Sequence, residues 1–191
     1  GVNYNKIKYD IGIVSCFRIK EVRKESLSDF WISIEMMHTL IAKYIEEYNL
    51  RAGLFMRYAF DNHEELKYLN NIYGDKVDYV GNIKGESTYN GIEMSEVAVS
   101  SLSTTLCETF GKGKKILYCD FTETDKYHDY DPMIMFTDPN YDALKKRLDE
   151  LRHEPYKKYR KRTKQYASYL MNYNPSCPPH IYIRQKIEEY L

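Results

Sequence analysis

Residues 94–120 constrain the fold of this chain more than any other stretch. They combine a β-prone run at Ser95–Val99, a turn at 100–105 with five hydroxyl side chains, a short helical segment that ends before Gly111, and a second apolar run at Lys115–Cys119. A short helix that begins directly after a strand presents unpaired backbone N–H groups and the positive end of its dipole. An anion, and a phosphate group in particular, binds there with little rearrangement.

The hydroxyl-rich turn has two interpretations. Thr105 and Glu108 have the spacing of a capping box, in which the hydroxyl and the carboxylate each bond a backbone amide, and this needs no ligand. A cap uses one side-chain oxygen, however, and the turn offers more. Ser101, Ser103 and Thr104 would then form the rim of a phosphate site, although serine and threonine are also ordinary turn residues.

Apolar runs alternate with amphipathic stretches along the chain. Continuous apolar runs are typical of strands that are buried on both faces, and apolar residues spaced by three and four make one face of a helix. This alternation predicts an α/β fold, a Rossmann-like parallel sheet of five or six strands with helices on both faces in a three-layer sandwich. The predicted strands are Tyr9–Cys16, Ala52–Tyr58, Val77–Val80, Ser95–Val99, Lys115–Cys119 and, at an edge, Met133–Phe136; the predicted helices are Asp29–Tyr48, a helix from Asp61 closed by Gly74, and a turn at Thr88–Met94.

The segment 138–191 predicts three further helices. The middle helix carries six Lys and Arg residues. They indicate either a solvated helix face or a surface that contacts an acidic membrane or a partner lobe. We expect residues 1–191 to form one domain, with the helices of 138–191 packing on it or on a missing N-terminal lobe. The predicted bounds are 138–152, with Asp138 as cap and Pro139 as first residue, then 156–172 and 180–191.

Composition argues against several classes of protein. The chain has 28 Lys and Arg against 28 Asp and Glu, so nucleic acid is not an expected partner. The cysteines at positions 16, 107, 119 and 177 lack metal spacing and are expected to be reduced thiols. Because no apolar run approaches the roughly 20 residues of a bilayer span and no leader opens the chain, we expect a cytoplasmic protein.

A strand order of 3-2-1-4-5 would make the first and fourth strands neighbours. Ligands of such sheets bind in the crevice at the carboxyl ends of these strands. Arg18 and Arg57 follow the first and second predicted strands closely enough to supply fixed positive charge to a phosphate. Further candidates for ligand contacts at this edge are Ser15, His63 and His128.

Other nucleotide and hydrolase signatures are missing. The first strand is not followed by Gly-x-Gly-x-x-Gly, Gly111–Lys115 lies at a helix end rather than in a P-loop position, and there is no Gly-x-Ser-x-Gly elbow. His38 reads as a structural histidine near the apolar face of its helix. Asp120, Asp125 and Asp129 could form only a weak metal cluster, and we expect neither a metal nor a cofactor.

The strand with Arg57, the helix from His63, the strand at 95–100, the serine–threonine turn and Glu108 follow one another in a characteristic order. This order resembles the C-terminal, donor-binding lobe of GT-B glycosyltransferases, nearest to those of bacterial surface-polysaccharide synthesis, over nearly the whole chain. In that family the turn holds the donor phosphate, the glutamate holds the ribose, and the loop after the third strand frames the base. With the residues singled out above, the candidate phosphate ligands are Ser101, Ser103, Thr104, Thr105, Arg18 and Arg57, and the candidate ribose and base ligands are Glu108, Asn82 and Ser15.

The resemblance implies a metal-independent glycosyltransferase lobe that binds a CMP- or UDP-activated sugar for transfer to a surface glycan. The implied partners are the donor, a glycan acceptor and an N-terminal acceptor-binding lobe, which would also supply the catalytic base, so this chain alone would bind without turnover. Peripheral contact with the inner membrane face through 156–172 is a further expectation. Two alternatives stay open: a sugar-nucleotide epimerase lobe, and a non-catalytic α/β interaction module.

Overall fold

The computed structural model describes residues 7–18, 28–83, 87–101, 103–122, 134–170 and 176–190. The strands are β1 Tyr9–Val14, β2 Ala52–Phe55, β3 Asp78–Val80, β4 Ser95–Ser100, β5 Lys115–Cys119 and β6 Met135–Phe136. The helices are α1 Ser28–Tyr48, α2 His63–Tyr73, α3 Ser87–Glu93, α4 Thr104–Gly111, α5 Tyr141–His153, α6 Tyr156–Leu170 and α7 Pro179–Glu188.

The described strands form one parallel sheet in the order β3-β2-β1-β4-β5-β6. Helix α1 contacts α2 and α5, whereas α4 contacts α3 and α6. Right-handed crossovers place these two groups on opposite faces of the sheet. The predicted α/β class, the parallel sheet and the adjacency of the first and fourth strands are therefore confirmed.

The centre of the sheet is closed to solvent on both faces. Ile11 and Ile13 of β1 and Val97 and Val99 of β4 are 0% exposed. Side chains fill the space beside Gly12, because a Cβ there would lie 2.2 Å from the hydroxyl of Ser95 on β4. The continuous apolar runs of these strands thus reflect burial beneath helices on both sides.

Two strands end earlier than predicted. β1 stops at Val14 and β2 at Phe55. The amides of Ser15 and Met56 still donate to the carbonyls of Phe55 and Val80, and the chain leaves the ladder after these two residues. In the second case the amides of Arg57 and Tyr58 donate to a side-chain carboxylate of α2 instead of pairing with β3. The polar residues that follow β1 and β2 thus lie in loops at the carboxyl edge of the sheet.

The predicted start of the helix after β6 was wrong. Asp138 accepts a hydrogen bond from the amide of Asn140, and Asn140 is the N-cap of α5, where its side chain accepts from the amides of the second and third helical residues at 2.9 and 3.2 Å. An asparagine that bonds two orphan amides outcompetes the Asp-Pro pattern two residues earlier.

The C-terminal helices differ in how they meet the rest of the chain. Helices α5 and α6 bury side chains, whereas all residues of 180–190 are exposed. The ends of the predicted helices at 171–172 and 191 lie outside the described residues. None of the helices in the described part of the chain combines the length and the apolar character that a bilayer span requires. The buried side chains are Leu144, Leu148 and Leu151 of α5 and Tyr156, Tyr159 and Thr163 of α6.

Candidate functional site

The loops after β1 and β4 are bonded to each other at the carboxyl end of the sheet. The Cys16 thiol donates to the carbonyl of Ser101 and lies 3.1 Å from the Ser100 hydroxyl. That hydroxyl in turn donates to the carbonyl of Val14 at 2.8 Å. These contacts fix the floor of the crevice between the two strands, where the strand order reverses its direction along the sheet.

Ser101 differs from its neighbour in that its hydroxyl has no hydrogen-bond partner among the described residues. The residue is 1% exposed. A buried hydroxyl without a partner costs free energy, and native structures rarely retain one without a reason. This group therefore stands out at the floor of the crevice.

Helix α4 begins beside Ser101 with an open N-terminus. Its N-cap is Ser103, whose side chain makes no capping hydrogen bond. The capping box predicted at Thr105 and Glu108 was wrong, because Thr105 already lies inside the helix. By contrast, Asn62 caps α2 by accepting from the Glu65 amide at 2.9 Å. The first-turn amides of α4 therefore lack a side-chain acceptor from their own cap, at the end of the helix that follows the carboxyl end of β4.

Arg18 and Arg57 both lie close to this floor. Burial raises the pKa of the Cys16 thiol, and its bonds to Ser100 and to the backbone of Ser101, together with the charges of the two arginines, oppose that rise. Arg57 is exposed and its guanidinium lies 5.8 Å from the centroid of its neighbouring tyrosine ring, whereas Arg18 is partly buried. The structure thus brings both predicted cations to the same edge as α4.

Glu65 organises the loops after β1 and β2 and was missed by the sequence analysis. It is 0% exposed, and its carboxylate accepts from the Ser15 hydroxyl at 2.6 Å and from the amides of Arg57 and Tyr58 at 2.9 Å each. The hydroxyl of Ser15, predicted as a ribose or base contact, is therefore engaged with Glu65. In the sequence, Glu65 resembles any acidic residue in the first turn of a helix, so only a buried contact across three segments reveals it.

Asn82 lies on the loop after β3 and is tied to the loop after β2. Its side-chain amide donates to the carbonyl of Arg57 at 3.0 Å, and its backbone amide donates to the carbonyl of Tyr58 at 2.9 Å. Phe60 and Ile83, which are 50% and 67% exposed, lie on the same two loops. This corner of the edge thus combines a fixed amide with exposed apolar side chains.

Glu108 lies in the middle of α4 and bonds a residue that the sequence analysis also missed. The Tyr89 hydroxyl of α3 donates to its Oε2 atom at 2.5 Å. Glu108 follows Thr104 and Thr105 by four and three positions, so its side chain neighbours both of theirs on the surface of α4. Thr104, Thr105 and Glu108 therefore lie near one another on the helix that follows Ser101 and Ser103.

The remaining candidates are spread over the molecule. His38 is fully buried, its Nδ1 lies 2.8 Å from the Tyr73 hydroxyl, and burial lowers its pKa to about 3. His63 is the exposed first residue of α2. Asp120 accepts from the amide and hydroxyl of Thr122. Asp125, His128 and Asp129 lie outside the described residues, and the described part of the chain holds no group of three or more metal-ligating side chains.

This chain is similar to known proteins in structure but matches none of the compared families or curated proteins in sequence. No protein-family model and no curated protein matches the chain. Similar solved structures include a candidate UDP-N-acetylglucosamine 2-epimerase from Listeria monocytogenes, which aligns with 77% of this chain, and the S. aureus MnaA protein in a co-structure with UDP, which aligns with 90%. Both alignments have a TM-score of 0.50 and 14% sequence identity.

The similarity to these two proteins concerns the fold, since 14% identity is too low to carry more. It agrees with the Rossmann-like parallel sheet. The chain spans 37% of the Listeria protein and 48% of the S. aureus protein, which is less than half of each.

Proposed function

We propose that this chain is the nucleotide-sugar-binding lobe of a two-lobed enzyme with GT-B-like architecture. The observation that carries the proposal is the uncapped N-terminus of α4 beside the buried hydroxyl of Ser101, which has no hydrogen-bond partner among the described residues. Both lie where the strand order reverses, and this is the point at which doubly wound sheets bind ligands. Unpaired amides and the helix dipole favour a phosphate group there.

The surrounding residues then take complementary roles. The hydroxyls of Ser103, Thr104 and Thr105 rim the diphosphate, while Arg18 and Arg57 balance its charge. Glu108 accepts hydrogen bonds from the ribose. Asn82 and the apolar side chains on the neighbouring loops frame the base, and Glu65 acts on the ligand only through the loops that it holds.

The comparisons favour a uridine nucleotide over a cytidine nucleotide. One similar structure was determined with UDP, and the other protein is named for a UDP-sugar substrate. Because the Listeria protein is named as an epimerase, the comparison also favours a sugar-nucleotide epimerase over a glycosyltransferase that acts on a surface glycan. Glycosyl transfer stays the second candidate, because the serine–threonine turn followed by Glu108 resembles the donor site of the GT-B glycosyltransferases. In either case the proposal assigns catalytic residues, and any acceptor site, to a second lobe.

A thermal-shift panel of UDP, CMP, CDP, GDP, ADP and dTDP tests nucleotide binding. A ligand at about 100 times its Kd contributes about 2.7 kcal/mol, so we expect UDP to raise the Tm by several degrees. We expect Ser101→Ala to remove most of this shift at little cost in stability, because the described part of the chain gives the hydroxyl no hydrogen bond to lose.

Ser100→Ala provides the matched control for that variant. It removes a hydroxyl that donates to the Val14 carbonyl, so it should lower stability by about 1 kcal/mol and leave the UDP shift in place. Equal loss of the UDP shift in both variants would assign the effect to a loosened loop. A panel without any shift would contradict the nucleotide site itself.

A product assay on the full-length protein separates the two reactions. Incubated with UDP-N-acetylglucosamine alone, an epimerase forms the C2 epimer without any acceptor. A glycosyltransferase releases UDP in a manner that depends on an added glycan. Nuclear magnetic resonance of the reaction mixture resolves the epimers and the free nucleotide.

The proposal also places the enzyme in the cytoplasm, with α6 as a contact for the anionic inner face of the membrane. Residues 157, 158, 161 and 164 of α6 are exposed lysines, and the helix contains no acidic residue. Lysines near an anionic surface each contribute about 1 kcal/mol, and this contribution is screened by salt. Salt-sensitive binding to vesicles without any nucleotide binding would instead favour the interaction module.

A further inference from the structure

Tyr89 joins α3 to the proposed nucleotide site. Its hydroxyl lies 2.5 Å from Oε2 of Glu108, and the ammonium group of Lys112 lies 5.6 Å from its ring centroid. The helix that carries it is pressed onto the sheet, because a Cβ on Gly91 would lie 2.1 Å from the ring of Phe55. The phenol is therefore held on a well-packed helix and points at the carboxylate.

The hydrogen bond also fixes the chemical state of Tyr89. Its bond to Glu108 raises the pKa of the phenol, and partial burial and the charge of Glu108 act in the same direction, whereas a bond with the Thr105 side chain opposes them. The phenol thus stays protonated and donates at neutral pH. Tyr89 and Glu108 thus form a two-residue network that joins α3 to α4.

This network determines how Glu108 meets a ligand. A carboxylate has two oxygens with about four acceptor positions, so one phenol bond fixes its orientation without exhausting its capacity. Glu108 lies one turn beyond the open N-terminus of α4, which is where the ribose of a nucleotide would follow its diphosphate. Two adjacent ribose hydroxyls present two donors to such a carboxylate.

We infer that Tyr89 is a positioning residue that orients Glu108 to accept hydrogen bonds from both the 2′- and the 3′-hydroxyl, so that the site selects ribonucleotides over 2′-deoxyribonucleotides. The inference rests on the proposed function. Removing one hydrogen-bonded hydroxyl from the ligand leaves a charged acceptor unpaired, and such losses correspond to about tenfold or more in affinity.

A calorimetric titration of the full-length protein with UDP and with 2′-deoxy-UDP tests this role. We expect the wild type to prefer UDP by about tenfold or more. Tyr89→Phe should weaken UDP binding more than 2′-deoxy-UDP binding, because the deoxy ligand keeps only one of the two hydroxyls that Glu108 accepts from, and the preference should fall to about threefold or less. Glu108→Gln should reduce the preference to a similar extent, and the double variant should be no worse than Glu108→Gln alone, since the two residues act as one unit.

Tyr182→Phe is the matched control, because Tyr182 is a 54% exposed tyrosine on α7. It should leave both affinities unchanged. If Tyr89 served only to join α3 to α4, Tyr89→Phe would weaken the binding of both nucleotides equally. An unchanged ratio of the two affinities would overturn the inference but not the nucleotide site. A wild type that binds neither nucleotide would overturn the inference together with the proposed function.

Discussion

The buried imidazole of His38 links α1 to α2 and makes stability depend on pH. Its only hydrogen bond found in the described residues joins Nδ1 to the Tyr73 hydroxyl at 2.8 Å, and its Nε2 has no partner there. Burial lowers its pKa from 6.5 to about 3. The unfolded chain therefore binds a proton at pH values at which the folded chain does not.

We expect this histidine to destabilise the fold as the pH falls. The stability that comes from keeping this imidazole neutral is fully present above pH 6.5. It is lost between pH 6.5 and about 3, where the free energy of unfolding falls by about 1.4 kcal/mol per pH unit. Between pH 7 and pH 5 the free energy of unfolding of the wild type should fall by about 2 kcal/mol more than that of His38→Asn. The asparagine amide of this variant can still bond the Tyr73 hydroxyl. Urea unfolding at both pH values measures the difference, and identical pH dependence in the two proteins would contradict it.

At the residue scale, the sequence indicates polar residues that follow the strands but not the residues that hold their loops in place. Ser101, Arg18 and Arg57 follow strands, so the topology alone brings them to one edge. Glu65 and Tyr89 lie within helices, and their importance depends on contacts with segments that are distant in the sequence. One amino-acid sequence by itself has no periodicity or spacing that marks contacts of this kind.

At the scale of the element, α4 combines a helix start with the absence of a side-chain cap. Ser103→Asp would place a carboxylate at the N-cap, where it can bond the orphan amides and interact favourably with the dipole. We expect it to raise the free energy of unfolding by about 0.5–1 kcal/mol. The same charge should weaken UDP binding by about tenfold or more, because it would occupy the position of a phosphate.

Asn140→Asp is the control for that change. It introduces the same charge at the N-cap of α5, where Asn140 already accepts two amide hydrogen bonds. Urea unfolding and UDP titration should show little change in either stability or affinity. If Ser103→Asp stabilised the chain and left UDP affinity intact, the first turn of α4 would not be the phosphate site.

The elements themselves were predictable, whereas their ends were not. Hydrophobic periodicity correctly predicted the order of strands and helices, since burial on one or both faces is a property of many residues together. The ends depend on single polar groups. Glu65 captures the amides after β2, Asn140 starts α5, and Ser103 rather than Thr105 is the N-cap of α4.

At the scale of the whole molecule, α7 presents an apolar face that the described residues leave open. Ile183 and Ile187 of α7 and Tyr190, two residues after its end, have spacings of four and three, and they are 56%, 56% and 88% exposed. Substituting both isoleucines by glutamine should leave the Tm of this chain nearly unchanged, because exposed substitutions alter stability by about 0.5 kcal/mol or less.

The full-length protein should respond differently if a second lobe covers this face. There the double glutamine variant should lower the Tm by several degrees, since burying each isoleucine contributes about 1.5–3 kcal/mol. Glutamine at Arg184 and Glu188, which form an exposed ion pair on the same helix, should have little effect in either protein. An unchanged Tm in both proteins would exclude α7 from an interface between lobes.

The adjacency of β1 and β4 also sets the order of events during folding. The hydroxyl of Ser100 bonds the carbonyl of Val14 across 86 positions of sequence, and two strand–helix units and α3 lie between them. Contacts of such long range form slowly, because loop closure must precede the stabilisation that they bring. During synthesis on the ribosome, β1 therefore lacks its β4 neighbour until more than half of this chain has emerged, and the crevice between the two strands cannot form before then.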